Sequence, residues 1–280
     1  MVDQKTAGTL YVVATPIGNL GDASPRALEA LRSAQVIACE DTRTTRTLLA
    51  RYGIGTRTVS LHEHNERAAA AALLDMLRSG ASVALVSDAG TPAISDPGAL
   101  LVAEAHRAGV RVSPLPGANA AAAAVSVSGF PAAQFMFAGF LPSARSARRK
   151  ALQALELPWP VVCYEAPHRI AATLADLTEI FGAEREIVIA RELTKKFEEV
   201  ARMPLEEAGA WLKARRERSQ GEFVLVLSPG KEAAAGTMDP DRVLDVLLEA
   251  HAPSEAAKLA ARITGAPRNQ LYRKALERAK

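Results

Sequence analysis

The chain sets carboxylates, a histidine and a lysine just beyond several of its apolar runs. In "LVSDAGTPAISDPG" (residues 85–98) Asp88 closes the run, and Gly90, Pro92 and Asp96 follow with no Lys or Arg among them. A carboxylate at such a place can bind ribose hydroxyls or sit near a cationic ligand, whereas a polyphosphate is a poor guest for a loop without cations. "YEAPHRI" (164–170) sets Glu165, His168 and Arg169 after another run, and "ARELTKKFEEV" (190–200) sets Arg191, Glu192 and Lys195 after the next. Each of these clusters alone could be exposed charge; together they suggest one polar cleft.

Small-residue loops recur at the same kind of position. "ATPIGNLGD" (14–22) carries Gly18 and Gly21, and "PLPGANAAAAAVS" (114–126) carries Gly117, so backbone there can approach a ligand that a Cβ would block. Neither GxGxxG nor GxxxxGK[ST] occurs, which argues against a dinucleotide fingerprint or a phosphate loop. "EDTRTTRTLL" (40–49) reads as a helix start capped by Asp41 or Thr42, with Arg43 and Arg46 on a solvated face. In "SLHEHNE" the histidines His62 and His64 would share one side of an extended segment, but without a third ligand they do not make a metal site.

The elements that must hold these loops are legible as short β-branched runs alternating with helical patterns. Residues 9–14, 35–39, 82–87 and 110–115 read as buried strands, with helices beginning after Ser24, after Asn65 and at Pro97, so a largely parallel sheet covered by helices is expected. A second set at 134–140, 161–165, 186–190 and 222–228 is separated by helices from about Ser146, Arg169 and Pro204. From Asp239 onward the pattern is purely helical, and its last pair, joined by "GAPRN", resembles a helix-turn-helix. The expected organisation is an α/β domain over 1–125, a second over 126–235 and a helical extension over 236–280.

Length and composition fit that plan. The 280 residues are 49% apolar and carry a net charge of only +3, which permits a nucleic-acid partner without demanding one. Cys39 and Cys163 lie in apolar runs with no CxxC, so neither a disulfide framework nor zinc is expected. The opening "MVDQKTAGTLYVV" has no basic segment leading into an apolar one, and no stretch approaches membrane-span length; a cytoplasmic setting without a membrane partner is expected.

Taken in order, "LYVVATPIGNLGD", "IACEDTRTTRTLL", "LHEHNE", "ALVSDAGTPAISDPG", "PLPGANA", "YEAPHRI", "ARELTKKFEEV" and "GEFVLVL" closely resemble the bacterial 16S ribosomal RNA (cytidine-2'-O)-methyltransferases of the tetrapyrrole methylase superfamily. The resemblance covers residues 9 to 228. It implies two α/β domains with S-adenosylmethionine bound in the cleft between them, a decoding-region cytidine of 16S rRNA in the small ribosomal subunit as substrate, and a homodimer. The cofactor loops it implies are Pro16 to Gly18, Ser87, Asp88, Ala89, Gly90 and Thr91, and Pro116, Gly117 and Ala118. One departure is Ala118, where the family commonly has a proline.

Methylating a 2'-hydroxyl requires alignment of oxygen, methyl and sulfur and a group that takes the hydroxyl proton. Asp88, Glu165, His168 and Glu192 are candidate acceptors, and Lys195 is one only if burial lowers its pKa. For RNA, the basic run "SARSARRK" offers Arg145, Arg148, Arg149 and Lys150 to phosphates, with Arg43, Arg169 and Lys195 as further contacts. Two rivals stay open: a C-methyltransferase acting on a tetrapyrrole, and a non-catalytic nucleic-acid binder built on the terminal helices.

Overall fold

The computed structural model describes residues 8–230 and 240–278. The opening residues 1–7 and the composition shift at 231–239, where the helical part was expected to begin at Asp239, lie outside the described residues. The chain forms two compact units, Met1–Ser228 and Pro229–Lys280.

Two five-stranded sheets make up the first unit. The first holds β1 (Thr9–Val13), β2 (Val36–Cys39), β3 (Thr58–Ser60), β4 (Val83–Leu85) and β5 (Arg111–Leu115) in the order β3-β2-β4-β1-β5, all parallel. Parallel pairing demands crossovers. α1 (Pro25–Ser33), α2 (Thr42–Arg51), α3 (Glu66–Arg78) and α4 (Ala99–Arg107) supply them and bury both faces of the sheet. Leu10, Val36 and Leu85 meet Leu73, Leu77 and Leu101 on one side, while Val13, Ile37 and Ala84 meet Leu31 and Leu49 on the other.

Caps fix where these helices begin. Ser24 accepts from Ala27 N with Pro25 at the first helical turn, and Asp41 accepts from Arg43 N. Asn65 departs from the expected cap: its side chain turns back to accept from His62 N and donate to Ser60 O. Residues 62–65 are therefore a turn, not the extended segment that the histidine spacing suggested. The helix expected at Pro97 starts at Ala99, because Gly98 at φ +120° presses against the Leu85 side chain, where a Cβ would fall 2.7 Å away.

The second sheet is mixed, in the order β6-β7-β10-β8-β9: β6 (Met136–Phe140), β7 (Val161–Glu165), β8 (Glu186–Arg191), β9 (Glu199–Pro204) and β10 (Phe223–Leu227). β6 and β7 run parallel, and β10 runs antiparallel to β7 and β8 at the centre. "FVLVL" is uninterrupted because both its faces are covered: Phe223, Leu225 and Leu227 face a core shared with α6 (Arg145–Gln153), α7 (Ile170–Phe181) and α8 (Leu205–Lys213), whereas Val224 and Val226 face α5 (Ala120–Ser128). α5 is almost all Ala, Val and Ser, so the helix leaving the first sheet packs closely on the second. β3 and β9 were not anticipated. Both are edge strands, the one only three residues long and the other interrupted by Glu199, Arg202 and Pro204.

Both cysteines are buried and free. Burial raises the Cys39 thiol pKa and pushes that of Cys163 up to about 12.

The second unit contains α9 (Pro240–Leu248), α10 (Pro253–Thr264) and α11 (Arg268–Arg278). Leu244, Ala256, Ala257, Ala260, Leu271 and Ala275 form its small core, Gly265 ends α10 at φ +72°, and Lys274 pairs with Asp241 at 2.7 Å. Among the described residues no helix is long and apolar enough to cross a membrane.

Candidate active site

The carboxyl ends of β1, β4 and β5 and one edge of the second sheet enclose a cavity of about 420 Å³. Antiparallel pairing explains why four second-sheet strands contribute to it. Phe223, at the start of β10, lies in register with Glu165 at the end of β7 and Arg191 at the end of β8, and Phe140 ends β6 beside Tyr164. The first-sheet wall is Ile17, residues 88–91 and 94–96, Asn119 and Ala120; the second-sheet wall runs from Phe140 through Tyr164 and Leu193 to Glu222. Asp88, Asp96, Glu165 and Glu222 are among the lining residues, and among the described residues no Lys or Arg is. Such a wall rejects a phosphate and favours a cationic guest.

The first-sheet loops are tied to one another through backbone. Thr15 N donates to Gly90 O at 2.8 Å and Gly90 N to Thr15 O at 3.0 Å, while the Thr15 hydroxyl reaches Ser87 O at 3.2 Å. Thr91 Oγ1 donates to Ala118 O at 3.2 Å, which pins the loop after β5 at the position where a proline is commonly found in the family it resembles. Asp41 N donates to Asp88 Oδ1 at 3.0 Å; among the described residues Asp88 Oδ2 has no hydrogen-bond partner. Strain is divided between two loops at the cavity: Ala93 and Ser95 both hold φ +63°, and Glu192 and Thr194 hold +51° and +65°, a left-handed conformation that costs a non-glycine residue about 1 kcal/mol or more. Burial raises the Asp96 carboxyl pKa, the nearby Ser87 hydroxyl works against this, and the Asp88 charge adds to the rise. Glu40, beside this group, is raised by burial and by the charges of Asp88 and Asp96.

Of the expected cofactor residues, Asp88, Ala89, Gly90 and Thr91 line the cavity. Ser87 is buried beneath them with its hydroxyl toward Ala89 O and Gly90 O. Pro16, Pro116, Gly117 and Ala118 stand off the wall. Gly117 is needed elsewhere, since a Cβ there would fall 3.0 Å from Ala14 Cβ. Gly18 does not line the cavity either. A Cβ on it would collide with the Lys195 side chain, and its neighbour Asn19 N donates to Thr194 Oγ1 at 3.1 Å, so this glycine admits the second half of the fold.

The charged clusters of the second sheet are spent on one another. Glu165 accepts from Thr173 Oγ1 at 2.6 Å and from Ala166 N at 2.8 Å and pairs with Arg169 at 3.1 Å, and Arg169 also donates to Leu141 O. Both Glu165 oxygens are thus engaged, and Arg169 is not offered to RNA. Glu192 Oε1 accepts from Lys195 Nζ and from Glu222 N, each at 2.9 Å. Burial works against the Glu192 carboxylate, but these hydrogen bonds hold its pKa below the ordinary value. Burial also works against the Lys195 ammonium, and Glu192 and Glu222 outweigh it; Lys195 is raised, the opposite of what a lysine base requires. His168 is exposed on the turn after β7 and does not line the cavity.

The basic run behaves differently from its sequence. Arg148 is 4% exposed and pairs at 2.7 Å with Asp176, itself 1% exposed. Arg145 at 3.0 Å and Arg149 at 3.2 Å converge on the same carboxylate. Burial raises the Asp176 pKa, hydrogen bonds from Arg148, Arg145 and Arg149 outweigh it, and the net result lies below the ordinary value. Arg148 therefore anchors α6 to α7 and does not grip a phosphate. Lys150 remains on the exposed face, and Arg43 is exposed and paired with Asp41 at 2.8 Å. Asn119, Phe140 and Tyr164 line the wall without a signal of their own in the sequence, whereas Asp96 is the second carboxylate of "SDAGTPAISD".

Comparison with known proteins agrees with this architecture. Residues 9–209 match the family described as Tetrapyrrole (Corrin/Porphyrin) Methylases, and residues 234–279 match the RsmI C-terminal HTH domain. Ribosomal RNA small subunit methyltransferase I of Pseudomonas aeruginosa is 47% identical over 278 residues, covering 98% of each chain. Its counterpart from Xylella fastidiosa strain Temecula1 is 51% identical over 269 residues, 95% of this chain and 98% of that one. The uroporphyrin-III C-methyltransferase of Thermus thermophilus, solved with S-adenyl homocysteine, shares the fold at a TM-score of 0.55 and 18% identity, over 79% of this chain and 97% of that one. The chain belongs to the ribosomal RNA small subunit methyltransferase I family and is built on the tetrapyrrole methylase fold.

Proposed function

We propose that the protein transfers the methyl group of S-adenosylmethionine to the 2'-hydroxyl of a decoding-region cytidine in 16S rRNA, acting in the cytoplasm on the small ribosomal subunit. The observation that carries the cofactor assignment is the first-sheet wall, where Asp88 and Asp96 line the cavity with no paired cation among the described residues, while Glu165 and Glu222 are held by Arg169 and Lys195. A sulfonium fits that wall and a diphosphate does not. The names of the relatives supply the substrate class, and the fold neighbour solved with S-adenyl homocysteine supports the cofactor.

The loop 88–91 and Ile17 would hold the cofactor from the first-sheet side, where glycine leaves backbone bare at the end of β4. S-adenosylmethionine supplies an electrophilic methyl whose departing thioether needs no charge stabilisation. The protein's own work is to align the hydroxyl and accept its proton. Asp96 is suited to take that proton, because it lines the cavity, and burial followed by the Asp88 charge raises its proton affinity. Asp88 stands beside it with one oxygen fixed by Asp41 N and the other unengaged among the described residues.

The test is incubation of purified protein with methyl-labelled cofactor and either small ribosomal subunits lacking the modification or uroporphyrinogen. Label in 16S rRNA at a cytidine whose 3' linkage has become alkali-resistant supports the reading, since alkaline cleavage needs the free 2'-hydroxyl. Label on a base, or on the tetrapyrrole alone, overturns it.

A further inference from the structure

We infer that Phe140 is the platform on which the base of the target nucleotide stacks after being turned out of the RNA, with Ile94 beside it at the cavity mouth. The inference rests on the proposed function and names how the same site positions its substrate.

The pairing of β6 with β7 slips by one residue. Met136 and Phe137 of β6 pair with Val161 and Val162 of β7, but Gly139 then pairs with Cys163 and Phe140 with Tyr164. Unbroken pairing would set Phe140 opposite Glu165, with its side chain directed to the face that α6, α7 and α8 fill. The bulge at Ala138 returns Phe140 to the face of Phe137, Val162 and Tyr164. Its ring meets Tyr164 edge to face at 5.4 Å, and Tyr164 meets Phe137 at 4.9 Å, so the platform is braced from behind.

Gly139 makes the bulge at φ +62°, and the space over it is taken by the loop of the first sheet: a Cβ there would fall 3.1 Å from Ser95 Oγ. The residues flanking this contact, Ile94 at 39% and Phe140 at 57% exposure, both line the cavity. Phe135 and Met136, exposed at the other end of β6, do not. A large aromatic left open in a cavity wall, held there by a bulge and a left-handed glycine, is a recognition surface rather than a packing residue.

Charge says which part of a nucleotide it meets. A phosphodiester would face Asp88 and Asp96, with no lining cation among the described residues, so the backbone must stay at the rim while the nucleoside enters. Those carboxylates accept hydrogen bonds from sugar hydroxyls and from an exocyclic amine, and the base finds its π-face on Phe140.

The test compares Phe140→Ala, Phe140→Leu and Phe140→Trp in methyl transfer to small ribosomal subunits, with cofactor Kd measured by calorimetry. The expected result is a KM for the subunit raised about 5- to 100-fold in the Ala and Leu variants, cofactor Kd within twofold of wild type, and rescue by Trp. The introduced indole, read against the background of Trp159 and Trp211 in wild type, should be quenched when a minimal RNA substrate is added. A Leu variant with the wild-type KM, or a Trp variant whose added fluorescence ignores RNA, overturns the stacking role while methyl transfer by the wild type stands. A wild type that transfers no methyl to the subunit overturns the functional reading, and the inference with it.

Discussion

The two edges that face each other across the cavity use charge in opposite ways. On the first-sheet side, Asp88 and Asp96 stand on loops tied by backbone hydrogen bonds, and no cation is paired with either among the described residues. On the second-sheet side, Glu165, Glu192, Lys195 and Arg169 form closed sets with Thr173, Glu222 and backbone groups. Both edges looked equally chemical in sequence. A charged residue is available for catalysis when the fold leaves its partners out, and it is structural when the fold supplies them.

The contrast breaks first at its extremes. Asp96→Asn should lower the methyl-transfer rate by about two to four orders of magnitude with melting temperature near wild type, whereas Glu165→Gln should lower the melting temperature with a far smaller loss of rate. Equal rate losses in the two variants would erase the distinction. Next comes Asp176→Ala, which strands the buried Arg148 and should cost about 3–5 kcal/mol in denaturant unfolding. The wild-type contribution of Asp176 has a defined acid limit, because its folded pKa lies below the ordinary 3.8. It is complete above that ordinary value and is lost as the pH falls through the lower folded value, so the stability gap between wild type and variant should close in acid and not in base.

Gly18→Ala should have an intermediate effect, about 1–3 kcal/mol by thermal unfolding, because its Cβ displaces Lys195 from Glu192 and Glu222. An unchanged melting temperature would return Gly18 to the role of ligand contact. Arg43→Ala should be the smallest. Its pair with Asp41 is exposed, Arg43 at 88%, and the melting temperature should stay near wild type; a change in activity without one in stability would mark Arg43 as an RNA contact.

What could be read in advance follows a physical pattern. The runs "TLYVV", "VVCYE" and "FVLVL" announce themselves because strands covered on both faces are continuously apolar, and Ser24 and Asp41 punctuate the helices between them. The edge strands β3 and β9 lacked that signal. Direction was not legible either, since apolar alternation is the same whether β10 runs parallel or antiparallel to β7. In the site, "SDAGTP" could be assigned because its chemistry is local. Arg148 was misread because its partner Asp176 arrives from a helix 28 residues further on, and Phe140 was overlooked because its exposure depends on one extra residue in β6.

The two buried thiols carry a practical consequence. Cys39 belongs to the first sheet and Cys163 to the second, and each is held as an unreactive protonated thiol while its sheet is closed. An alkylating reagent therefore modifies each only when its own layer opens. Peptide mass mapping of the two sites over a denaturant series would read the separate opening of two halves from a single sample, without any engineered label.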